Sequence, residues 1–287
     1  LGDVDPASAI VAVRPSTGAV VAMASGGDGA DVAATGRFAP GSTFKVVTAL
    51  ALLRSGMTPE STVPCTDTIT VDGRTFENYS DYPSSAIGDI TLRSAIANSC
   101  NTAMIASRDD APPDELAAAA AALGLGRDVD LGVPAFLGSV PTDTDGTERA
   151  ASMIGQGRVE ASPLAMAVVA ASVAHGGLVT PVLLPDLDPE EAAEPDQPVT
   201  EAEGVDLADL MRAVVTDGSG RFLAALPGGP VGAKTGTAEY GTDVPPRTHA
   251  WMIATQDDLA VAVFVADGDS GSATAGPLLE RFLRAAR

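Results

Sequence analysis

The chain has 287 residues, of which 45% are hydrophobic and 19% are charged, a composition typical of a globular protein with a sizeable core. Its formal charge of −21, from 17 basic and 38 acidic residues, argues against binding to the phosphate backbone of nucleic acids. No run of about 18 apolar residues is present, so the sequence predicts no membrane span, and its start at Leu1 indicates a processed piece whose anchor would lie upstream.

The first part of the chain begins with a predicted β-hairpin, in which the apolar segments 9–13 and 19–24 flank a Pro-Ser-Thr-Gly turn. A helix is predicted over 43–54, because Pro40-Gly41 precedes it and apolar residues follow at helical spacing. After these elements the pattern predicts a short hairpin at 69–76, followed by helices at 91–97, 102–108 and 114–123.

The second part contains a helix over 163–174 that is apolar nearly all round and therefore predicted to be buried. Segment 181–198 has five prolines and six acidic residues and is predicted to be a loop. The remaining predicted elements are a helix at 205–215, strands at 232–238, 249–255 and 259–266, and a helix at 275–286.

Strands at both ends of the chain with helices between them predict an α+β fold. The N-terminal hairpin and the three late strands are expected to form one sheet, and the middle helices a second lobe. We predict one domain over 1–287, with an α/β lobe built from about 1–50 and 205–287 and an all-helical lobe from about 51–204.

Three short motifs occur in a fixed order along the chain: Ser-Thr-Phe-Lys at 42–45, Ser-Cys-Asn at 99–101 and Lys-Thr-Gly-Thr at 234–237. Each motif alone is common by chance. The ordered set predicts an acyl-transfer site around a serine nucleophile.

Ser42 is the predicted nucleophile and Lys45 its general base, because residues three apart on a helix lie on one face. A lysine base has to be neutral, although its ordinary pKa is about 10.4. Burial lowers that pKa, and so does a second nearby cation, for which Lys234 is the candidate.

Ser99 is expected to relay a proton to the leaving amine, and Asn101 to hold either the substrate amide or Lys45. In the third motif, Lys234, Thr235 and Thr237 suit a substrate carboxylate. Gly236 allows close approach of backbone or ligand to a strand edge.

The backbone N–H groups of Ser42 and Thr237 are the expected oxyanion hole. Gly-Gln-Gly at 155–157 is expected to shape the floor of the cleft, and Glu160 to be an exposed loop carboxylate. The sequence contains no metal-ligand cluster, Walker loop or dinucleotide fingerprint, so no cofactor is predicted. Cys65 and Cys100 fit either a disulfide or two small buried apolar residues, and we favour the second.

The chain resembles the transpeptidase domain of class B penicillin-binding proteins over nearly its whole length, most of all the penicillin-binding lipoproteins of mycobacteria and related actinobacteria. Besides the three motifs, the likeness rests on Pro-Gly at 40–41, Asn-Tyr at 78–79, Gly-Gln-Gly at 155–157 and His-Ala-Trp at 249–251. The resemblance implies the penicillin-binding fold, an α+β fold in which an antiparallel sheet is packed between helices beside an all-helical lobe. It also implies that Ser42 is the acylated serine and Lys45 its base.

The implied reaction is peptidoglycan D,D-transpeptidation of D-Ala-D-Ala stem peptides, with covalent inhibition by β-lactams and no cofactor. The implied location is outside the cytoplasmic membrane, on a lipoprotein or N-terminal anchor. Implied partners are stem peptides, β-lactam antibiotics and a glycosyltransferase or the divisome or elongasome, without nucleic acid.

Three other functions share this motif set. A serine β-lactamase needs a positioned base for water, for which Glu160 is the candidate. A β-lactam sensor is acylated once and transfers nothing to an amine. A D,D-carboxypeptidase uses water in place of the acceptor amine.

Overall fold

The computed structural model describes residues 1–27, 31–184 and 194–286. Its strands are β1 (Ser8–Val13), β2 (Val20–Gly26), β3 (Thr62–Cys65), β4 (Thr68–Val71), β5 (Arg74–Glu77), β6 (Gly88–Thr91), β7 (Gly232–Tyr240), β8 (Arg247–Gln256) and β9 (Leu259–Val265). Its helices are α1 (Val32–Thr35), α2 (Lys45–Arg54), α3 (Leu92–Ala97), α4 (Asn101–Ala106), α5 (Pro113–Ala122), α6 (Gly146–Ser152), α7 (Pro163–His175), α8 (Glu201–Thr216) and α9 (Gly276–Ala285).

Both ends of the chain build one five-stranded antiparallel sheet, in the order β2-β1-β9-β8-β7. The sequence prediction of this sheet is confirmed. Strands β8 and β9 are buried on both faces, which explains their nearly continuous apolar sequence. Strand β7 is left at the edge.

Helices cover both faces of the sheet. Alternate side chains such as Ile253 and Phe264 join the large apolar cluster that contains α7 and α2. Their neighbours Met252 and Val263 join a second cluster with Leu279 of α9. The sheet is therefore packed between helices, as the family resemblance implied, because period-two alternation sends consecutive residues to opposite faces.

The middle of the chain carries helices together with two small sheets, β3 with β6 and β4 with β5. The β4–β5 hairpin was predicted; β3, β6, α1 and α6 were not. The two-lobe division at about 50 and 205 stays a prediction, and α7 from the middle segment packs on β1 and β9. Residues 185–193 of the predicted acidic loop lie outside the described residues.

Within the described part of the chain, no helix is long and apolar enough to cross a bilayer.

Cys65 and Cys100 form a disulfide, so the preference for two free cysteines was wrong. Cys65 ends strand β3, and Cys100 caps the N-terminus of α4. Packing of α4 against β3 brings the two Cα atoms to 6.3 Å, within the range of roughly 4.4–6.8 Å that a disulfide spans. This proximity depends on tertiary packing and has no signature in the sequence.

The disulfide should stabilise the fold by restricting the unfolded chain. For a sequence separation of 35 residues, the loop-closure model gives about 3–4 kcal/mol. We expect the double variant Cys65→Ala/Cys100→Ala to lose about that much free energy of unfolding in urea denaturation. Reductant should lower the stability of the wild type and leave that of the double variant unchanged. Equal stability of the two proteins without reductant would contradict the prediction.

Candidate active site

The first and third motifs lie side by side because two glycines let backbone pack against backbone. Ser42 lies in a 3₁₀ turn immediately before α2. Gly41 in this turn has φ +53°, and a Cβ there would lie 2.5 Å from the carbonyl oxygen of Thr237. A Cβ on Gly236 would lie 2.9 Å from the carbonyl oxygen of Pro40. The group that approaches Gly236 closely is therefore the backbone of the chain's own turn.

Lys45, the first residue of α2, is fully buried and uses its amine to hold the second motif. Its Nζ donates to the backbone oxygen of Ser99 at 2.8 Å, to Ser99 Oγ at 3.3 Å and to Asn101 Oδ1 at 2.7 Å. The backbone oxygen of Ser99 and the Asn101 Oδ1 can only accept, and they use the two N–H donors of a neutral amine, whereas the Ser99 hydroxyl can also donate to its lone pair. Helical spacing allows a hydrogen bond between Ser42 and Lys45, but among the described residues no hydrogen bond joins Ser42 Oγ to the lysine amine.

Ser99 lies between two helices in a strained conformation. Helix α3 ends at Ala97, and Ser99 has φ +61°, a left-handed conformation that is uncommon for residues other than glycine. Such backbone persists only where the surrounding structure determines it, and it concentrates at functional sites. The predicted helix over 91–97 is confirmed, including its end at Ala97.

Asn101 is the first residue of α4, and its side-chain amide is oriented from both ends. Oδ1 accepts from Lys45, and Nδ2 donates to the backbone oxygen of Glu77 at 2.8 Å. The buried Asn78 side chain accepts from the Asn101 N–H at 2.8 Å and donates to the Thr66 backbone oxygen at 2.9 Å. Asn101 thus holds Lys45, one of the two predicted alternatives. Asn78, which the sequence indicated only as part of the family resemblance, fixes this geometry.

Lys234 reaches the same serine from the opposite side. It lies on β7, is fully buried, and its Nζ donates to Ser99 Oγ at 2.9 Å and to the Thr235 backbone oxygen at 3.0 Å. Ser99 Oγ is therefore shared by both lysine amines. Lys45 and Lys234 are also the only lysines in the sequence.

The environment of the two lysines favours their neutral forms. Burial lowers the pKa of Lys234 to about 7. Burial, and secondarily the charge of Lys234, lower the pKa of Lys45 well below its usual value. Among the described residues, no carboxylate forms an ion pair with either amine. The direction of both shifts follows from removing an ammonium from water without a counter-charge.

The open edge of β7 faces the turn that carries Ser42. The Thr235 carbonyl accepts from Lys234, and the Thr237 carbonyl faces Gly41, so both point away from β8. In an antiparallel strand the N–H and C=O of one residue point to the same side. The Thr237 N–H therefore also points to the open edge, beside Ser42.

The two threonine hydroxyls of the third motif have partners from elsewhere in the chain. Thr235 Oγ1 lies 2.7 Å from Ser219 Oγ, and Thr237 Oγ1 accepts from the Gly271 N–H at 3.2 Å. Sequence reasoning missed Ser219, because a serine between two glycines is an ordinary loop signal.

Two further predicted residues lie close to this arrangement. The Gly155 backbone oxygen accepts from the Gly41 N–H at 2.9 Å, and a Cβ on Gly155 would lie 2.5 Å from Phe44 Cβ. The Gly-Gln-Gly segment thus supports the turn that carries Ser42. The Glu160 side chain is 42% exposed and lies 3.8 Å from Arg37 in an ion pair. Within the described part of the chain, no group of three or more potential ligands could hold a metal ion.

Residues 8–284 match the family model described as the penicillin binding protein transpeptidase domain. The chain is 33% identical to the peptidoglycan D,D-transpeptidase PbpA of Mycobacterium tuberculosis, over 94% of this chain and 64% of that protein. It is 38% identical to PbpA of Mycolicibacterium smegmatis, over 84% of this chain and 52% of that protein. The chain therefore spans between about half and two-thirds of the length of these curated relatives.

Solved structures show the same fold. Penicillin-binding protein A from M. tuberculosis, as a ceftriaxone acyl-enzyme complex, has a TM-score of 0.83 at 29% identity, with 99% of this chain and 74% of that chain covered. PBP2 from Pseudomonas aeruginosa has a TM-score of 0.81 at 27% identity, with 98% and 73% covered. A chain of a peptidoglycan synthase complex has a TM-score of 0.82 at 30% identity, with 98% and 55% covered.

The buried lysines predict a pH dependence of stability. A lysine whose folded pKa lies below its unfolded pKa binds fewer protons when folded, so stability rises with pH between the two values. For Lys234 this window runs from about 7 to about 10. We expect the free energy of unfolding of the wild type to rise relative to that of Lys234→Met by about 1.4 kcal/mol per pH unit in this window.

Urea denaturation at pH 7, 8 and 9 measures this difference. Arg281→Met removes an exposed cation of α9 and serves as the control, with a pH dependence equal to that of the wild type. Parallel stability curves for the wild type and Lys234→Met would contradict the lowered pKa.

Proposed function

The chain belongs to the penicillin-binding protein transpeptidase family, and from this membership and the geometry of the site we propose that it is a peptidoglycan D,D-transpeptidase. Ser42 attacks the penultimate D-Ala carbonyl of a stem peptide, terminal D-Ala leaves, and an amine of a neighbouring stem takes the acyl group. The observation that carries the proposal is the sharing of Ser99 Oγ by Lys45 and Lys234 next to the turn with Ser42.

The lysine environments support a proton path. Neutral Lys45 accepts the proton of Ser42 after a rotation that brings the hydroxyl toward the amine. Ser99 Oγ, 3.3 Å from Lys45 and 2.9 Å from Lys234, links the two amines and passes a proton to the departing D-Ala nitrogen. Asn101 keeps Lys45 in place through its Oδ1. Each proton transfer of this kind typically contributes about 10²–10⁴-fold in rate.

The oxyanion of the tetrahedral intermediate is held by the N–H groups of Ser42 and Thr237. The first belongs to the start of a 3₁₀ turn, where N–H groups have no partner within the turn. The second points to the open edge of β7, as the orientation of its carbonyl indicates. Loss of one such donor typically lowers kcat by about 10²–10³-fold.

The terminal carboxylate of the substrate is bound by Lys234, Thr235 and Thr237. These residues follow one another along the edge strand, so an extended peptide can lie beside them. β-Lactams carry a carboxylate at the corresponding place, and we propose that they acylate Ser42. The acyl-enzyme complex of the M. tuberculosis relative with ceftriaxone supports this inhibition.

The proposed reaction implies a cellular location and protein partners for this domain. Peptidoglycan lies outside the cytoplasm, and we propose an extracytoplasmic site for this domain, held at the membrane by an anchor outside this sequence. The similarity to a chain of a peptidoglycan synthase complex that coordinates polymerization and crosslinking supports a glycan-polymerising partner of the divisome or elongasome.

Rapid hydrolysis of β-lactams is the less favoured function. It requires a base positioned beside the acyl-enzyme to activate water. Glu160, the candidate from the sequence, is half-exposed and paired with Arg37. The relatives named as transpeptidases also support transfer to an amine over a sensor or a carboxypeptidase.

Intact-mass spectrometry with penicillin G tests the assignment of nucleophile and base. The wild type should gain one penicillin mass that persists for hours. Ser42→Ala should gain none while keeping the wild-type thermal unfolding curve. Lys45→Ala should gain the same mass orders of magnitude more slowly, because its serine lacks a base.

Two outcomes would contradict the proposal. Labelling of Ser42→Ala would exclude that serine as nucleophile, and rapid loss of the adduct from the wild type would indicate a β-lactamase. Transfer is tested separately with a D-Ala-D-Ala stem peptide and an amine acceptor: cross-linked product supports a transpeptidase, whereas hydrolysis alone supports a carboxypeptidase.

A further inference from the structure

Ser219 contacts the site from outside the three motifs. It lies in the loop that joins α8 to β7, and its Oγ is 2.7 Å from Thr235 Oγ1. Among the described residues, neither hydroxyl has another hydrogen-bond partner. Thr235 is 8% exposed, whereas Ser219 is half-buried. Ser219 is therefore the more exposed residue of the pair.

The loop that carries Ser219 is fixed against the second motif. The Ser219 N–H donates to the Ala97 backbone oxygen at 3.1 Å, at the end of α3 and two residues before Ser99. A Cβ on Gly218 would lie 1.8 Å from the same oxygen, so the loop backbone packs directly on it. Ser219 is thus held between the second motif and the edge strand of the third.

The pair of hydroxyls has one donor to spare. Two hydroxyl groups that share one hydrogen bond use one proton between them, and the other O–H stays free. Whichever oxygen donates within the pair, the second proton is available to an acceptor next to Lys234. A substrate carboxylate, which accepts several hydrogen bonds, is such an acceptor.

We propose that Ser219 is a specificity-determining residue that binds the substrate carboxylate together with Thr235. This inference rests on the proposed function, since it concerns the same carboxylate pocket. The serine hydroxyl donates to the carboxylate directly or, by donating to Thr235, directs the threonine proton to it. In both arrangements Ser219 increases the rate of acylation by substrates that carry the negative charge and has little effect on substrates that lack it.

Penicillin G and its methyl ester form a matched pair of probes, because they differ only in the carboxylate. The second-order acylation constant is measured for both with each variant, and their ratio is independent of the folded fraction. For Ser219→Ala we expect the acylation constant to fall about ten-fold or more with the acid, which is the usual range for losing a hydrogen bond to a charged group. With the ester we expect it to fall less than about two-fold, because the charge is absent. Ser219→Thr, which keeps the hydroxyl, should keep most of the preference for the acid.

Thr216→Ala is the control variant. Thr216 is the last residue of α8, three residues before Ser219, and its hydroxyl bonds Arg212 and Asp217 outside the motifs, so the acid-to-ester ratio of this variant should equal that of the wild type. An unchanged ratio in Ser219→Ala, or equal losses with both probes, would overturn the role of Ser219. A wild type that penicillin G does not acylate would instead overturn the proposed function.

Discussion

Two buried lysine amines that share one serine hydroxyl are the constraint on which the site depends. Lys45 and Lys234 are fully buried, both form a hydrogen bond with Ser99 Oγ, and among the described residues neither forms an ion pair with a carboxylate. Two ammonium groups in such a position repel each other and have lost their water, so the pair is most stable with at least one amine neutral. A neutral lysine is the state that general-base catalysis requires, and here the fold supplies it by burial.

The rest of the fold maintains this arrangement at the expense of local strain. The left-handed backbone of Ser99 is unfavourable by about 1–3 kcal/mol and needs support on each side. The disulfide at Cys100 provides it from β3, and the Asn78 side chain provides it from the start of α4. On the third side, Gly41 and Gly236 let the turn before α2 approach β7 closely enough for the first and third motifs to meet. Stability of the scaffold and placement of the reactive groups are therefore linked through the same few contacts.

The elements with a strong periodic pattern could be predicted from the sequence, and those fixed by tertiary contacts could not. The central sheet followed from alternating and continuous apolar segments, whereas β3 and β6 are four-residue strands without such a pattern. Helix α8 begins at Glu201, earlier than predicted, because Thr200 and Glu203 form a capping box that the apolar pattern does not reveal. In the site, the motif residues were recognisable by type and spacing. The disulfide, the role of Asn78 and the contact of Ser219 depend on distances between remote segments.

The most direct measurement is an NMR titration of the lysine side chains, since the chain contains only two lysines. Protein labelled with ¹³C-lysine should give two side-chain signals, and Lys234→Met leaves one of them for assignment. We expect both apparent pKa values of the folded protein to lie well below 10.4, with one near 7, and both to return to about 10.4 in urea. Two signals that titrate near 10.4 in the folded protein would contradict the neutral lysine pair.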